Sequence, residues 1–401
     1  MNVLHITPYY APAWALGGVV RAVSELAAAQ AAHGDQVRVL TTDIADLKGR
    51  RIAVLEEVRD GVVVQRAQNA FPLLRGRFNL STPQGFGALL RAALPQADLI
   101  HLHEFRTLEA LLTLRAKPAV PIILSPHGTL NQATGRSTIK RLWDRLFGRY
   151  TAQHITGVAA LTQAEQAEVE AAWRAFGFVP PPVRVIPNGV GADVWAGLAN
   201  PQLGADIAAL RKRFGIGDVP IVLFLGRLHQ RKGIQDLIPA FGQAIRAGVT
   251  AHLLIVGADD GMLGALRRFV EEDNLSAHVT FAGMLEGRER IAALAAAEIF
   301  ALPAVGEGLS LAALEAAASG CALILKEGCN LPEAATHGAG MVVARHRDAL
   351  AAALKHLLEA PSVRRQMGEA AQVWAKNAFQ WQVIAERMAQ FYVECVILKR
   401  Q

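Results

Sequence analysis

Residues 299–320 read IFALPAVGEGLSLAALEAAASG, and the reading of this stretch decides the fold. "IFALPA" is a short continuous apolar run, as expected of a strand buried on both faces of a parallel sheet. "LSLAALEAAASG" reads as a helix that stops at Gly320, because glycine accepts the left-handed backbone that ends helices. Glu307 stands at the mouth of the strand and Glu315 falls inside the helix. A plain surface helix would show a polar face, and this one carries a carboxylate among Leu and Ala. The amides of Gly308, Leu309 and Ser310 are the expected free donors where the helix begins. A carboxylate acceptor beside several N–H donors suits a ligand with both hydroxyls and phosphates, which is a sugar nucleotide. Glu315 could hold the two hydroxyls of a vicinal diol such as a ribose. So deep in an apolar helix, its carboxylate should also have a partner.

Outward from this stretch the same unit repeats. "VPIVLFLGRL", "AHLLIVGAD", "VTFAG", "CALILK" and "GMVVA" read as strands, separated by helices such as "IQDLIPAFGQAIRAG" and "GALRRFVEEDNL". The first half shows "VLHIT", "QVRVLTT", "ADLIHLH", "VPIILSPHG", "GVAALT" and "VRVIPNG", with a helix over "VVRAVSELAAAQAAHG". Strands alternating with helices predict parallel sheets covered on both faces. The Gly-, Pro- and Asn-rich stretch from about 188 reads as a linker. The expected organisation is an α/β chain of two doubly wound, Rossmann-like domains facing across a cleft. Residues 1–190 form the first, 191–210 the linker and 211–378 the second, with 379–401 returning to the first. In such sheets ligands bind beyond the carboxyl ends of the strands.

The 401 residues are 52% hydrophobic and 19% charged, enough for a large core and too apolar for global disorder. No apolar run is long enough to span a bilayer. "MNVLHITPYY" has neither a basic n-region nor an apolar h-region, so no signal peptide is expected. Three cysteines without ligand spacing predict buried thiols in a reducing cytoplasm. The net charge of +6 concentrates in 136–149, RSTIKRLWDRLFGR, with five Arg/Lys against one Asp. That pattern argues for one local anionic partner and against a nucleic-acid-coating surface.

Several strand ends carry candidate ligand groups. Gly17 and Gly18 precede a helix, where backbone amides can approach a phosphate, or simply form a tight turn. Their spacing is not that of a dinucleotide fingerprint, which disfavours a nicotinamide dehydrogenase. Arg227 and Lys232 bracket "RLHQRK" after a strand, where two cations could neutralise a diphosphate or lie in a solvated loop. His127 ends a strand in "SPHG". His101 and His103 share one face of a strand, but no third ligand is spaced to join them, so no metal site is expected.

Taken in order, "LHITPYYAP", "GG", "HLH", "SPHG", "VIPNGV", "FLGRL" with its "KG", "LLIVG", "FAGML", "LPAVGEGLSLAALEAAASG" and "NLPEAA" resemble the retaining glycosyltransferases of family 4, over nearly the whole chain. The resemblance implies a GT-B fold and a metal-independent hexosyltransferase without a cofactor. Its donor would be a UDP-, GDP- or ADP-sugar and its acceptor a glycan or a lipid-linked glycan, in envelope or exopolysaccharide synthesis. By this likeness Glu307 would contact the transferred sugar and Glu315 the ribose. Arg227 and Lys232 would hold the diphosphate. His127 would hydrogen-bond the donor sugar. Gly17 and Gly18 would approach phosphates and acceptor, the 308–310 loop would touch the donor, and the backbone near Met284 and Leu285 would meet the base. The chain departs from the family at Leu309 and Ser310, where an aromatic residue and a glycine are common. It departs again at Gly191, where the family has an aspartate; here Asp193 lies two residues on. A GT-B epimerase and a non-catalytic nucleotide-sugar binder are the alternatives.

The basic segment is open to two readings. On a helix, Ile139, Leu142, Trp143, Leu146, Phe147 and Tyr150 form one apolar stripe, with Lys140, Arg141, Arg145 and Arg149 on the remaining surface. The stripe either enters the core of its own domain or meets an anionic membrane as a peripheral contact.

Overall fold

Short, apolar, β-branched runs pair in parallel and build two sheets. The computed structural model describes residues 1–400 apart from 47, 72–73, 75–79, 131–136 and 345. The chain divides into two units. One holds residues 1–189 together with the C-terminal helix Trp381–Arg400, and the other holds residues 190–380.

The strands of the first unit are β1 (Asn2–Ile6), β2 (Gln36–Thr42), β3 (Glu56–Arg59), β4 (Val62–Asn69), β5 (Pro83–Gln84), β6 (Leu99–His103), β7 (Ile122–Ser125), β8 (Gly157–Ala160) and β9 (Val183–Val185). Their order is β3-β4-β2-β1-β6-β7-β8-β9, with β5 on β4. Strand order reverses between β1 and β6, which is where open sheets part to admit ligands. The antiparallel β3–β4 hairpin turns at Asp60 and Gly61, whose φ angles of 51° and 78° are those of a two-residue hairpin turn. The sheet is buried on both faces. Leu4, Ile6, Ile100, Leu102, Ile122 and Leu124 point into one core layer. Val3, Leu99 and Ile123 point to the other, under Ile384, Met388 and Phe391 of the C-terminal helix. That helix is anchored by Trp381. Its ring packs where a Cβ on Gly189 would come within 2.6 Å, and its Nε1–H donates to Glu25 at 2.6 Å.

The second unit contains β10 (Ile221–Leu225), β11 (His252–Val256), β12 (Val279–Gly283), β13 (Ile299–Leu302), β14 (Ala322–Lys326) and β15 (Gly340–Val343). The order β12-β11-β10-β13-β14-β15 is the doubly wound 3-2-1-4-5-6 arrangement, all parallel, with its switch point between β10 and β13. The stretch read as a linker is not a loop. It forms the helices Ala192–Leu198 and Leu203–Arg213, both in this unit, and Asp206 ties the second to Arg288 at 2.8 Å. All three cysteines are buried and free. Among the described residues no helix is long and apolar enough to cross a membrane.

Candidate active site

At the switch point of the second unit, the loops after β10 and β13 lock together. Gly233 has φ 73°, and a Cβ there would lie 2.0 Å from the Pro303 carbonyl oxygen, so only glycine lets the loops touch. Val305 N–H donates to the Arg231 carbonyl at 2.8 Å, and the Arg231 guanidinium donates to the Gly306 carbonyl at 2.8 Å. Glu307 is held on both sides: its N–H donates to Gly328 at 3.0 Å, and its carbonyl accepts from Asn330 Nδ2 at 2.6 Å. Its side chain then meets Lys232, Nζ to Oε1 at 2.8 Å, with both groups half-buried. The two residues come from opposite sides of the switch point.

The helix of this site begins at Leu311, with Ser310 as its cap, so Gly308 and Leu309 precede the first turn and do not form it. Leu309 and Ser310 are buried, and the Ser310 hydroxyl is used in capping, accepting from Ala313 N–H. Glu315 is buried and its carboxylate is paired with Arg290, from the helix Gly287–Ala296. Arg290 also lies 3.8 Å from Asp193, the acid displaced from the usual position after "NGV". Arg227 does not share Lys232's carboxylate; it is exposed and bonds Asp260 at 2.8 Å. After β12, Met284 is exposed while Leu285 is buried in the core. Arg290, Arg231 and Asp260 owe their places to partners distant in sequence, which local spacing does not show. Arg290 sits in a charged run, "GRERI", where nothing distinguishes it from its neighbours.

The switch point of the first unit is lined by imidazoles. Parallel pairing sets His5 of β1 beside His101 of β6, and His103 opposite Ser125 of β7. His127 lies two residues beyond Ser125, past the end of β7, and its ring meets His103. His5 Nδ1 is 2.8 Å from His103 Nε2, and His103 Nδ1 is 3.0 Å from His127 Nε2. His5 Nε2 meets Gln30 Oε1 at 2.8 Å, and Gln30 Nε2 donates to the Tyr392 hydroxyl at 3.0 Å. His101 bonds Tyr392 at 2.6 Å and Ser125 at 2.8 Å. Burial pushes His5 and His127 down to about 4 and holds His101 and His103 well below the ordinary imidazole value. All four rings are therefore neutral at pH 7.

The third histidine absent from the sequence spacing thus comes from β1, and ring nitrogens of His5, His101 and His103 lie within 4.8 Å of one another. A tetrahedral zinc would set its ligand nitrogens roughly 3.3 Å apart. The 2.8 Å between His5 and His103 is instead a hydrogen bond, and every ring nitrogen of these three residues has a polar partner. The donor set fits a hydrogen-bonded chain better than a metal site.

His127 adopts φ 53°, and Glu104, just after β6, φ 66°. Left-handed backbone at non-glycine residues is strained and clusters where ligands bind. The His127 turn is held by Glu165, whose carboxylate accepts from the N–H groups of Gly128 and Leu161. Gly17, with φ 105°, caps the helix Gly18–His33, and both glycines are exposed.

The basic segment is less regular than a single helix. Ser137–Trp143 is α-helical, Asp144–Gly148 is a π-turn and Arg149–Ala152 resumes the α-helix; Arg136 lies outside the described residues. It docks through Asp144, Gly148 and the far end of the apolar stripe, where Tyr150 packs against the core and its hydroxyl donates to the Leu114 carbonyl at 3.2 Å. Arg106 forks onto Asp144 at 2.6 and 2.8 Å, and Phe176 fills the space where a Gly148 Cβ would be. Ile139, Leu142 and Leu146 are left exposed, and Trp143, Phe147 and Tyr150 half-buried. Arg149 is engaged by its own unit, over the Phe178 ring and bonded to the Phe176 carbonyl.

Comparison with known proteins bears on this arrangement. The model of "Glycosyl transferases group 1" matches residues 206–374, and that of a "Glycosyl transferase 4-like domain" matches residues 17–189. The chain is 34% identical over 287 residues to a GDP-mannose-dependent monoacylated alpha-(1-6)-phosphatidylinositol monomannoside mannosyltransferase of Corynebacterium glutamicum, covering 67% of this chain and 73% of that one. It is 27% identical over 420 residues to a glycogen synthase of Mycobacterium tuberculosis, covering 100% and 96%. Among solved structures, the sucrose-phosphate synthase of Thermosynechococcus elongatus superposes with a TM-score of 0.75 at 22% identity, over 98% of this chain and 99% of that one. The chain belongs to the group 1 glycosyl transferases and has their GT-B fold.

Proposed function

We propose that this glycosyltransferase moves a hexose-type sugar from a nucleotide-diphosphate donor to a hydroxyl acceptor, with retention of configuration. The observation that carries the proposal is the Lys232–Glu307 pair, fixed at the switch point of the second unit by backbone bonds on both sides. An ammonium beside a carboxylate acceptor suits the join between a diphosphate and a sugar. Lys232, with Arg227 on the exposed side, takes the diphosphate, and Glu307 accepts sugar hydroxyls. Glu315, oriented by Arg290, takes the ribose diol, and Gly308 and Leu309 bring the backbone close to the donor. His127 bonds the sugar, and Gly17 and Gly18 offer amides to phosphate and acceptor.

In the reaction the bond from the anomeric carbon to the diphosphate oxygen breaks. The acceptor oxygen bonds the same face of the sugar, and its proton passes to the departing phosphate oxygen. Negative charge grows on that oxygen, so a preplaced cation such as Lys232 stabilises the transition state more than the ground state. The name of the mannosyltransferase relative supports a GDP-sugar among the candidate donors, with UDP- and ADP-sugars beside it. A panel of UDP-, GDP- and ADP-sugars, read by nucleotide release with and without acceptor and by the anomeric configuration of the product, tests the reading. Inversion sinks the retaining mechanism. Nucleotide release that does not depend on acceptor favours hydrolysis or epimerisation.

We also propose that the enzyme works at the cytoplasmic face of a membrane, on a lipid-linked or envelope-glycan acceptor. Exposed Ile139, Leu142 and Leu146 lie beside exposed Arg141 and Arg145, a combination that suits an anionic lipid surface. The phosphatidylinositol mannoside named for the relative is an acceptor of that kind.

A further inference from the structure

Three of the four clustered histidines stand behind His127 and have no part in the proposed reaction. Their bonds nevertheless bear on it. A neutral imidazole carries one proton, so one nitrogen donates and the other accepts. In an unbroken row of such rings the choice at one end fixes the choice at the other. Here the row runs Gln30, His5, His103, His127. Gln30 offers its carbonyl oxygen to His5 and spends its amino group on Tyr392. His5 must then carry its proton on Nε2 and accept at Nδ1. His103 in turn carries its proton on Nε2 and accepts at Nδ1. His127 follows, with Nε2–H committed to His103 and a bare lone pair on Nδ1. Tyr392, accepting from Gln30, gives its own proton to His101, whose Nε2–H goes to Ser125.

We propose that the buried row Gln30–His5–His103 is a positioning relay that fixes which ring nitrogen of His127 holds the proton. His127 then meets its ligand as a hydrogen-bond acceptor at Nδ1, and so selects a hydroxyl over a carbonyl or carboxylate oxygen. The relay sits in the core, where solvent cannot exchange the tautomers: His5 and His101 are fully buried and His103 nearly so. Burial also keeps the rings neutral, and a charged ring would carry protons on both nitrogens and break the row. The consequence for the ligand rests on the reading that His127 touches the donor sugar; the relay itself does not.

The test is nitrogen-15 NMR of histidine-labelled enzyme without any ligand, reading which nitrogen of His127 is protonated. Wild type should show one tautomer, with the proton on Nε2. Gln30→Met cuts the row two rings away from His127 and should give a mixture. Gln30→Glu keeps the shape and, as a carboxylate, can only accept, so it should restore the single Nε2–H form, an outcome that a merely structural role would not produce. The donor KM of Gln30→Met should rise by the inverse of the fraction of His127 left with its proton on Nε2, about twofold for an even mixture, with a smaller change in kcat. A proton on Nδ1 in wild type, or one tautomer in all three proteins, overturns the relay. A released tautomer with an unchanged donor KM upholds the relay and removes His127 from the donor site.

Discussion

The two units share an architecture and differ in what they place at its switch point. Between β1 and β6 the first unit sets neutral imidazoles, each bonded to the next. Between β10 and β13 the second sets formal charges, Lys232 on Glu307, with Arg290 on Glu315 in the helix that follows β13. A doubly wound sheet thus fixes where a ligand goes and leaves its chemistry to the residues at the strand ends. Imidazoles suit hydroxyl recognition without net charge. Ion pairs suit a diphosphate, which can replace Glu307 as the partner of Lys232.

The contrast can be broken first in the second unit. Arg290→Met removes the cation from a buried carboxylate, which should cost about 3–5 kcal/mol of stability; chemical denaturation would show it. The double change Arg290→Met with Glu315→Leu should recover most of the loss while abolishing ribose binding. A single variant as stable as wild type would mean that the pair is not a structural element. In the first unit the lever is pH. His5 titrates near 4 when folded and near 6.5 when unfolded, so between these values the unfolded state binds more protons. The His5 contribution is therefore complete above pH 6.5 and lost as pH falls towards 4, by about 3 kcal/mol, while Glu165, raised to about 7 by burial, works the other way in part of this window. Hydrogen exchange should show β1 and β6 losing protection in this window before β10 and β13, since the second unit has only His252 comparably lowered among its described residues. Uniform loss across both sheets would remove the distinction. A smaller effect is expected at the surface segment. Arg141→Gln with Arg145→Gln should weaken binding to anionic vesicles by about 1 kcal/mol per residue, and Leu142→Ser with Leu146→Ser should weaken it at high salt as well. Equal co-sedimentation of all variants would leave a soluble acceptor as the better reading.

Local chemistry made much of this legible in the sequence. Strand–helix alternation, the helix-ending Gly320 and the cations after β10 are all written in adjacent residues. What escaped is long-range. His5 and His101 are far apart in sequence and meet only because β1 pairs with β6. Arg290 and Glu315 lie on different helices, and neither position shows in a window of local spacing. The β3–β4 hairpin does carry a local sign, Asp60-Gly61. The supposed linker misled through its composition, since the packing of Leu210 and the Arg288–Asp206 pair outweigh its glycines and prolines. The apolar stripe of 139–150 was periodic as expected, but periodicity does not say which face docks. The Arg106–Asp144 pair, the contact at Gly148 and the packing of Tyr150 decide that.

The most direct test of the charged switch point is transfer kinetics of Lys232→Ala beside wild type on the preferred nucleotide sugar, with and without EDTA. Losing one preplaced charge at a developing anion costs roughly 2.7–4 kcal/mol, so kcat/KM should fall about 100- to 1,000-fold. Arg227→Ala, whose guanidinium is exposed and already paired with Asp260, should fall less. Wild-type activity should be the same in EDTA, because Lys232 and Arg227 supply the charge. A Lys232→Ala enzyme within about twofold of wild type, or wild-type activity abolished by EDTA and restored by Mg²⁺ or Mn²⁺, would contradict the assignment of the diphosphate to this site.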